Sequence, residues 1–213
     1  MIIDSSGSIR DNNPRDRSYD NWELQLEFLS DLVAAFSVGP DATRVGAVVF
    51  SEDVRLVFPL DRYDNVEEVR QAIITIPYMG QTTNTPEALI QTRLQCFNTA
   101  TGDRPDVTNL AIIVTDGVPF PSSRRNPAIS EAAALRDSGV TMIAIGVTDV
   151  IDPDFLKEMS SPPQIEGQNY FTATEFTVLN QIIGTVVEGT CEAVEVGMLL
   201  AYIMSSIGTY ISI

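Results

Sequence analysis

Asp4, Ser6 and Ser8 stand at alternate positions of a short Ser/Gly stretch, Asp4-Ser5-Ser6-Gly7-Ser8. Thr83 lies in Gly80-Gln81-Thr82-Thr83-Asn84-Thr85, and Asp116 lies in Thr115-Asp116-Gly117. These side chains offer hydroxyl and carboxylate oxygens, with no imidazole nitrogen and no thiolate. Such a donor set suits a hard divalent cation, Mg²⁺, Mn²⁺ or Ca²⁺. Each stretch follows an apolar run or a turn signal, so each can occupy a loop at one rim of a sheet. Singly, each has an ordinary explanation. Asp-x-Ser-x-Ser strings make turns and caps, Asp-Gly is a turn dipeptide, and Thr83 or Thr85 can cap the next helix. The significance lies in the combination.

The elements that must position these residues are legible in outline. Residues 44–50 (RVGAVVF) and 54–58 (VRLVF) are short β-branched runs, with Ser51-Glu52-Asp53 as a hairpin turn between them. Residues 110–114 (LAIIV) and 140–147 (VTMIAIGV) are nearly continuous apolar runs, as in strands buried on both faces of a parallel sheet. Residues 169–172 predict a last strand. Between them, Trp22, Leu26, Leu29, Val33 and Phe36 recur at helical spacing, and Val66, Val69 and Ile73 do so more weakly. Pro86 through Phe97 predicts a helix with Thr85 as its N-cap. Further helices are predicted from Pro127 to Asp137, Asp152 to Met159 and Glu175 to Val187. The order predicts an α/β fold: a doubly wound, mostly parallel open sheet of Rossmann-like type, with one antiparallel edge strand and helices on both faces. Ligands of such sheets collect at the carboxyl ends of the strands, where Asp4 and Asp116 fall.

Order, spacing and strand context of these motifs together resemble the von Willebrand factor type A domain. The match includes Gly80–Leu89 (GQTTNTPEAL), Ile113–Gly117 (IVTDG) and Ala144–Val147 (AIGV), and covers residues 1 to about 190. It is most similar to extracellular matrix members such as matrilin and non-fibrillar collagen A domains. The resemblance implies a metal-ion-dependent adhesion site made of Asp4, Ser6, Ser8, Thr83 and Asp116, the carboxylates acting partly through water. It implies a Mg²⁺ (or Mn²⁺ or Ca²⁺) cofactor and an extracellular protein partner, collagen-like in some members, that presents a Glu or Asp to the metal. Pro86 and Glu87 depart from the family's usual Gly and variable residue, and Pro in a first helical turn is compatible with the helix. The run before Asp4 is short, which suggests a chain that begins inside its first strand.

Composition bounds the alternatives. The chain has 213 residues, 44% of them apolar and 20% charged, enough for one domain with a full core. Its 29 acidic and 13 basic residues give a net charge of −16, which disfavours nucleic acid and anionic membranes as partners. It contains no histidine, the commonest general base and zinc ligand. No Asp-x-Asp pair follows the first strand and no Gly-x-x-x-x-Gly-Lys loop is present, so a Mg²⁺-dependent hydrolase lacks its nucleophile and phosphate cradle. The expectation is a binding module and not an enzyme, located in the matrix or on the cell surface. A self-associating structural unit is the alternative.

Three features stay open at this level. Cys96 and Cys191 are not in a CxxC pair, and in the implied topology both lie at the pole opposite the metal rim, where they could pair with each other, remain thiols or form an intermolecular bond. Arg124-Arg125 lies close to Asp116, either to grip an acidic ligand or as solvated loop; Arg10, Arg15 and Arg17 pose the same choice. Residues 191–213 form a separate tail whose last stretch, 196–213, carries no charged residue. That stretch is consistent with a membrane or lipid anchor, with translated intronic sequence, or with a core helix. The N-terminus lacks the basic and apolar regions of a signal peptide, and no Asn-x-Ser/Thr acceptor is present.

Overall fold

The computed structural model describes residues 1–15, 18–148 and 151–188. The elements are β1 (Ile2–Asp4), α1 (Gly7–Asp11), α2 (Asn21–Ala34), β2 (Ala47–Phe50), β3 (Val54–Phe58), α3 (Val66–Ile74), α4 (Thr85–Gln91), β4 (Asn109–Thr115), α5 (Arg125–Asp137), β5 (Val140–Val147), α6 (Pro153–Met159) and β6 (Tyr170–Ala173). The strands form one sheet in the order β3-β2-β1-β4-β5-β6. All pairings are parallel except β2–β3, so β3 is the antiparallel edge that the tight 51–53 turn demands.

Alternate residues of each central strand face opposite layers. Ile3, Ile112, Val114, Ile143 and Ile145 pack with α2 and α3 residues such as Leu29, Leu32 and Val69. Ile2, Ile113, Met142 and Ala144 pack with α4, α5 and α6 residues such as Leu89, Leu135 and Phe155. Two apolar layers therefore clamp one sheet, which is why the strands read as unbroken apolar runs. Gly146 shows how close the fit is. A Cβ there would lie 2.4 Å from Leu156 Cδ1 and 2.7 Å from Ile151 Cγ1, so only glycine lets α6 lie flat on β5.

Five local expectations are corrected. The first loop folds into the short helix α1, whose five residues carry too little periodicity to be read. The helix after Thr83 is capped by Asn84, and Thr85 is its first helical residue. Asn84 is pinned by its N–H to Ser51 O (2.8 Å) and its Nδ2 to Glu52 O (3.2 Å), and the helix starts one residue earlier than expected. That helix also ends at Gln91. Thr92 Oγ1 donates back to Ala88 O (2.8 Å), and residues Thr92–Cys96 follow as a wider π-turn. The segment Phe176–Ile182 is a 3₁₀ helix, with residues 183–188 helical after it. Its buried Phe176 and Leu179 sit three apart, the 3₁₀ repeat. The last strand is shifted one residue, to Tyr170–Ala173.

Cys96 is buried, and Cys191 lies outside the described residues with the 191–213 tail. No helix among the described residues is long and apolar enough to cross a membrane.

Candidate metal centre

The chain leaves β1 toward β2 on one side and returns to β4 on the other, so the strand order reverses at β1. A crevice opens at the carboxyl ends of strands where this happens. Register pairs Ile2 with Ile113 and Ile3 with Val114, which sets Asp4 level with Thr115, one residue before Asp116. The Thr83 loop is drawn onto the same rim by backbone bonds. Gly7 N–H donates to Gln81 O (2.7 Å), Gly80 N–H to Ser5 O (2.8 Å), and Phe120 N–H to Thr83 O (3.1 Å).

Within the crevice the polar atoms form a chain. Ser8 Oγ donates to Asp116 Oδ1 at 2.9 Å, and the Ser6 and Ser8 hydroxyls are 3.1 Å apart. Asp4 Oδ1 accepts from Ser6 N–H (2.9 Å), and Asp4 Oδ2 from Thr115 Oγ1 (2.6 Å). Asp4, Ser6, Thr83 and Asp116 are all buried, and Ser8 is half-buried. The structure thus joins Asp4, Ser6, Ser8 and Asp116 directly and brings Thr83 alongside through its backbone.

The residues that hold this chain in place are less visible in the sequence. Ser5, a spacer in the motif, is fully buried, and its Oγ accepts from Met79 N–H (2.8 Å). Gln25 on α2 is also fully buried and donates Nε2 to Asp4 O (2.8 Å). Tyr78 OH lies 3.0 Å from Ser6 O and 3.1 Å from Gly7 O, and Thr148 Oγ1 donates to Asp116 O (3.2 Å). Ser51 Oγ donates to Gln81 Oε1 (2.8 Å). Only a polar residue inside an otherwise apolar helical stripe, as Gln25 is between Trp22, Leu26 and Leu29, could have signalled such a role.

Burial pushes the Asp116 carboxyl up to about 7, and the neighbouring Asp4 charge pushes it the same way. Burial also raises Asp4, against the opposing bonds from Thr115 and Ser6. Two neighbouring buried carboxylates resist ionising together. Asp116 Oδ2 is buried without a hydrogen-bond partner. An orphaned buried carboxylate oxygen beside a run of hydroxyls fits a bound divalent cation. No group of three or more His, Cys, Asp or Glu side chains suited to a metal occurs among the described residues. The centre draws most of its donors from hydroxyls instead.

Three of the arginines named from sequence, Arg124, Arg125 and Arg10, are engaged in ion pairs. Arg124 pairs with Glu52 (2.8 Å), Arg125 with Asp152 (3.2 Å) and Glu158 (3.0 Å), and Arg10 with Asp20 (2.7 Å) while stacking on Tyr78 at 4.3 Å. Arg17 lies outside the described residues.

The model of the von Willebrand factor type A domain matches residues 1–185. Matrilin-4 of Homo sapiens is 35% identical over 164 residues, covering 76% of this chain and 24% of the relative. Cochlin of Cavia porcellus is 33% identical over 191 residues, covering 90% of this chain and 31% of the relative. The chain therefore spans about a quarter to a third of these relatives. Among solved structures, proximal thread matrix protein 1 from the mussel byssus superposes with a TM-score of 0.76 at 26% identity, over 89% of this chain and 47% of that one. That structure has zinc in its MIDAS motif. Manganese-loaded TRAP protein of Plasmodium vivax, 19% identical with a TM-score of 0.66 over 85% of this chain and 69% of that one, shares the fold.

Proposed function

The chain belongs to the von Willebrand factor type A family, and from that premise we propose that it is a divalent-cation-dependent protein-binding module that takes an acidic residue of its partner onto the metal. The observation that carries this reading is the buried, unpartnered Asp116 Oδ2 at the strand crossover, in line with the Ser8 and Ser6 hydroxyls.

Asp4, Ser6, Ser8, Thr83 and Asp116 would hold Mg²⁺, or Mn²⁺ or Ca²⁺ in its place. A cation held there supplies a Lewis-acidic position for an incoming carboxylate. Five protein oxygens fall short of the six that a hard cation takes, and only two of them are charged. Asp4 already accepts a bond on each oxygen, so Asp116 Oδ2 is the freer direct ligand and Asp4 suits an outer role. The zinc in the mussel protein's motif belongs to that protein. Here zinc would gain no imidazole or thiolate, so the donor set gives it no special preference.

The partner in this reading is an extracellular protein, collagen-like in chemistry, and the module works in the matrix or at the cell surface as an adhesion unit and not as an enzyme. Relatives among the matrilins and cochlin, and a structural likeness to a matrix protein, support that setting. The net charge of −16 repels an acidic partner at long range. Salt screens that repulsion beyond roughly 8 Å at physiological strength, whereas contact through the metal is direct.

The test is adhesion of the protein to an immobilised collagen-like peptide carrying Glu, and to the same peptide with Gln. Retention should require Mg²⁺, fail in EDTA, and favour the Glu peptide. Adhesion unchanged by EDTA would exclude the metal-bridged mechanism and leave a self-associating matrix unit.

A further inference from the structure

Arg124 lies within reach of the metal rim, yet its guanidinium is committed. Nη1 and Nη2 donate to Glu52 Oε2 and Oε1, both at 2.8 Å, and Nη1 also to Phe120 O at 2.9 Å. Thr82, next to the candidate ligand Thr83, donates its hydroxyl to Glu52 Oε2. Glu52 belongs to the 51–53 turn, Thr82 to the 80–85 loop, and Arg124 to the loop after Asp116. Backbone bonds tie the same loops at other points: Asn84 N–H to Ser51 O (2.8 Å) and Phe120 N–H to Thr83 O (3.1 Å). Thr83 is thus flanked on both sides by residues fastened to the 51–53 turn.

We propose that Arg124 and Glu52 are positioning residues for the metal centre: their forked ion pair clamps the Thr83 loop to the Asp116 loop and so sets the reach of two ligands that come from different loops. The inference rests on the metal-centre reading and adds residues outside the motif to it. An isolated exposed ion pair contributes little. This one is bidentate and shares an acceptor with Thr82, the arrangement in which an exposed pair gains geometric specificity. The Arg124 and Thr82 bonds pull the Glu52 carboxyl down to about 2, so the pair persists across the neutral range.

Two mechanisms predict opposite signs for Arg124. If the arginine acts only as a nearby positive charge, its removal relieves repulsion and tightens cation binding. If it acts as a clamp, its removal loosens the Thr83 loop and weakens binding. Glu52→Gln weakens binding under both, so Arg124→Ala is the deciding variant.

The experiment is Mg²⁺ calorimetry on metal-free wild type, Arg124→Ala, Arg124→Lys, Glu52→Gln and the Glu52→Gln/Arg124→Ala double variant. Amide exchange of residues 82–85 and thermal unfolding of the metal-free proteins accompany it. Arg124→Ala should weaken Mg²⁺ about three- to ten-fold, with unfolding temperature nearly unchanged and faster exchange in the 82–85 loop. Arg124→Lys, which keeps the charge and loses the fork, should recover only part. The double variant should lose no more than the worse single one, since both break one unit. Equal or tighter Mg²⁺ binding by Arg124→Ala would overturn the clamp while leaving the centre intact. Failure of wild type to bind Mg²⁺ would remove the centre itself, and the clamp with it.

Discussion

Carboxylates gather in two places on this molecule, and the two could hardly be treated more differently. Glu23, Glu27, Asp31 and Glu67 line a groove between α2 and α3 around Arg70. Asp4 and Asp116 share the rim with hydroxyls. In the groove, Asp31 is 45% and Glu67 73% exposed, and Arg70 answers them at 3.1 and 3.8 Å. At the rim, Asp4 is 0% and Asp116 2% exposed, and no cationic side chain among the described residues is recorded as pairing with either. The groove has more acid and the rim has more unmet need. Water and arginine satisfy an exposed carboxylate. A buried one flanked by hydroxyls is left with an unpartnered oxygen, and that is the condition a metal relieves.

The comparison breaks most decisively at Asp116. Asp116→Ala should abolish Mg²⁺ binding in calorimetry, a loss of roughly 100-fold or more, beyond what outer hydrogen-bond partners of metal ligands typically cost. Asp31→Ala in the groove should leave the affinity alone. Equal losses from the two would mean that bulk negative charge, and not the rim, attracts the ion. Ser6→Ala and Thr83→Ala remove one neutral donor each, whose place water can take. Each should weaken Mg²⁺ about ten-fold, near the free energy of one hydrogen bond to a charged group, without unfolding the domain.

How far this contrast was legible in the sequence depends on the distance over which each residue acts. The five candidate ligands are read from type and local spacing, and the strands from apolar runs, so the doubly wound sheet and its antiparallel edge followed. Ser5, Thr115 and the Glu52–Arg124 pair act through bonds to residues 72 to 111 positions away, and nothing in their neighbours announces it; Gln25, 21 positions from Asp4, is marked only by its polarity within an apolar helical stripe. Asn84 displaced Thr85 as the helix cap for the same reason, being held by Ser51 and Glu52 from another loop. Residues 176–182 carry apolar positions compatible with either helix type, and packing chose the tighter one.

Acid sharpens the contrast further. Asp116 has a folded-state value of about 7, against an ordinary value of 3.8. The metal-free native state therefore binds more protons than the unfolded chain between those values. Its stability should rise as pH falls from about 7 toward 4, and fall as pH rises through 7. Cation binding must expel that proton, so Mg²⁺ affinity should drop about ten-fold between pH 8 and pH 6. Saturating Mg²⁺ should flatten the stability profile. Calorimetry in buffers of different ionisation enthalpy reads the released proton, and a pH-independent affinity would count against Asp116 as a ligand.

The smallest effect tests the converse. Arg70→Ala removes the groove's central cation and leaves Glu23, Glu27, Asp31 and Glu67 facing one another. If the number of carboxylates made a metal site, this variant would gain a second Mg²⁺ site. It should not, because those side chains stay hydrated, can turn away into solvent, and are screened by salt. The lost pairs with Asp31 and Glu67 are exposed and should cost at most about 1 kcal/mol of stability, less at high salt. Calorimetry should still count one site, with the affinity of wild type. A second site of similar strength would show that crowding of acid suffices, and that burial and hydroxyl placement at the rim are not what distinguish it.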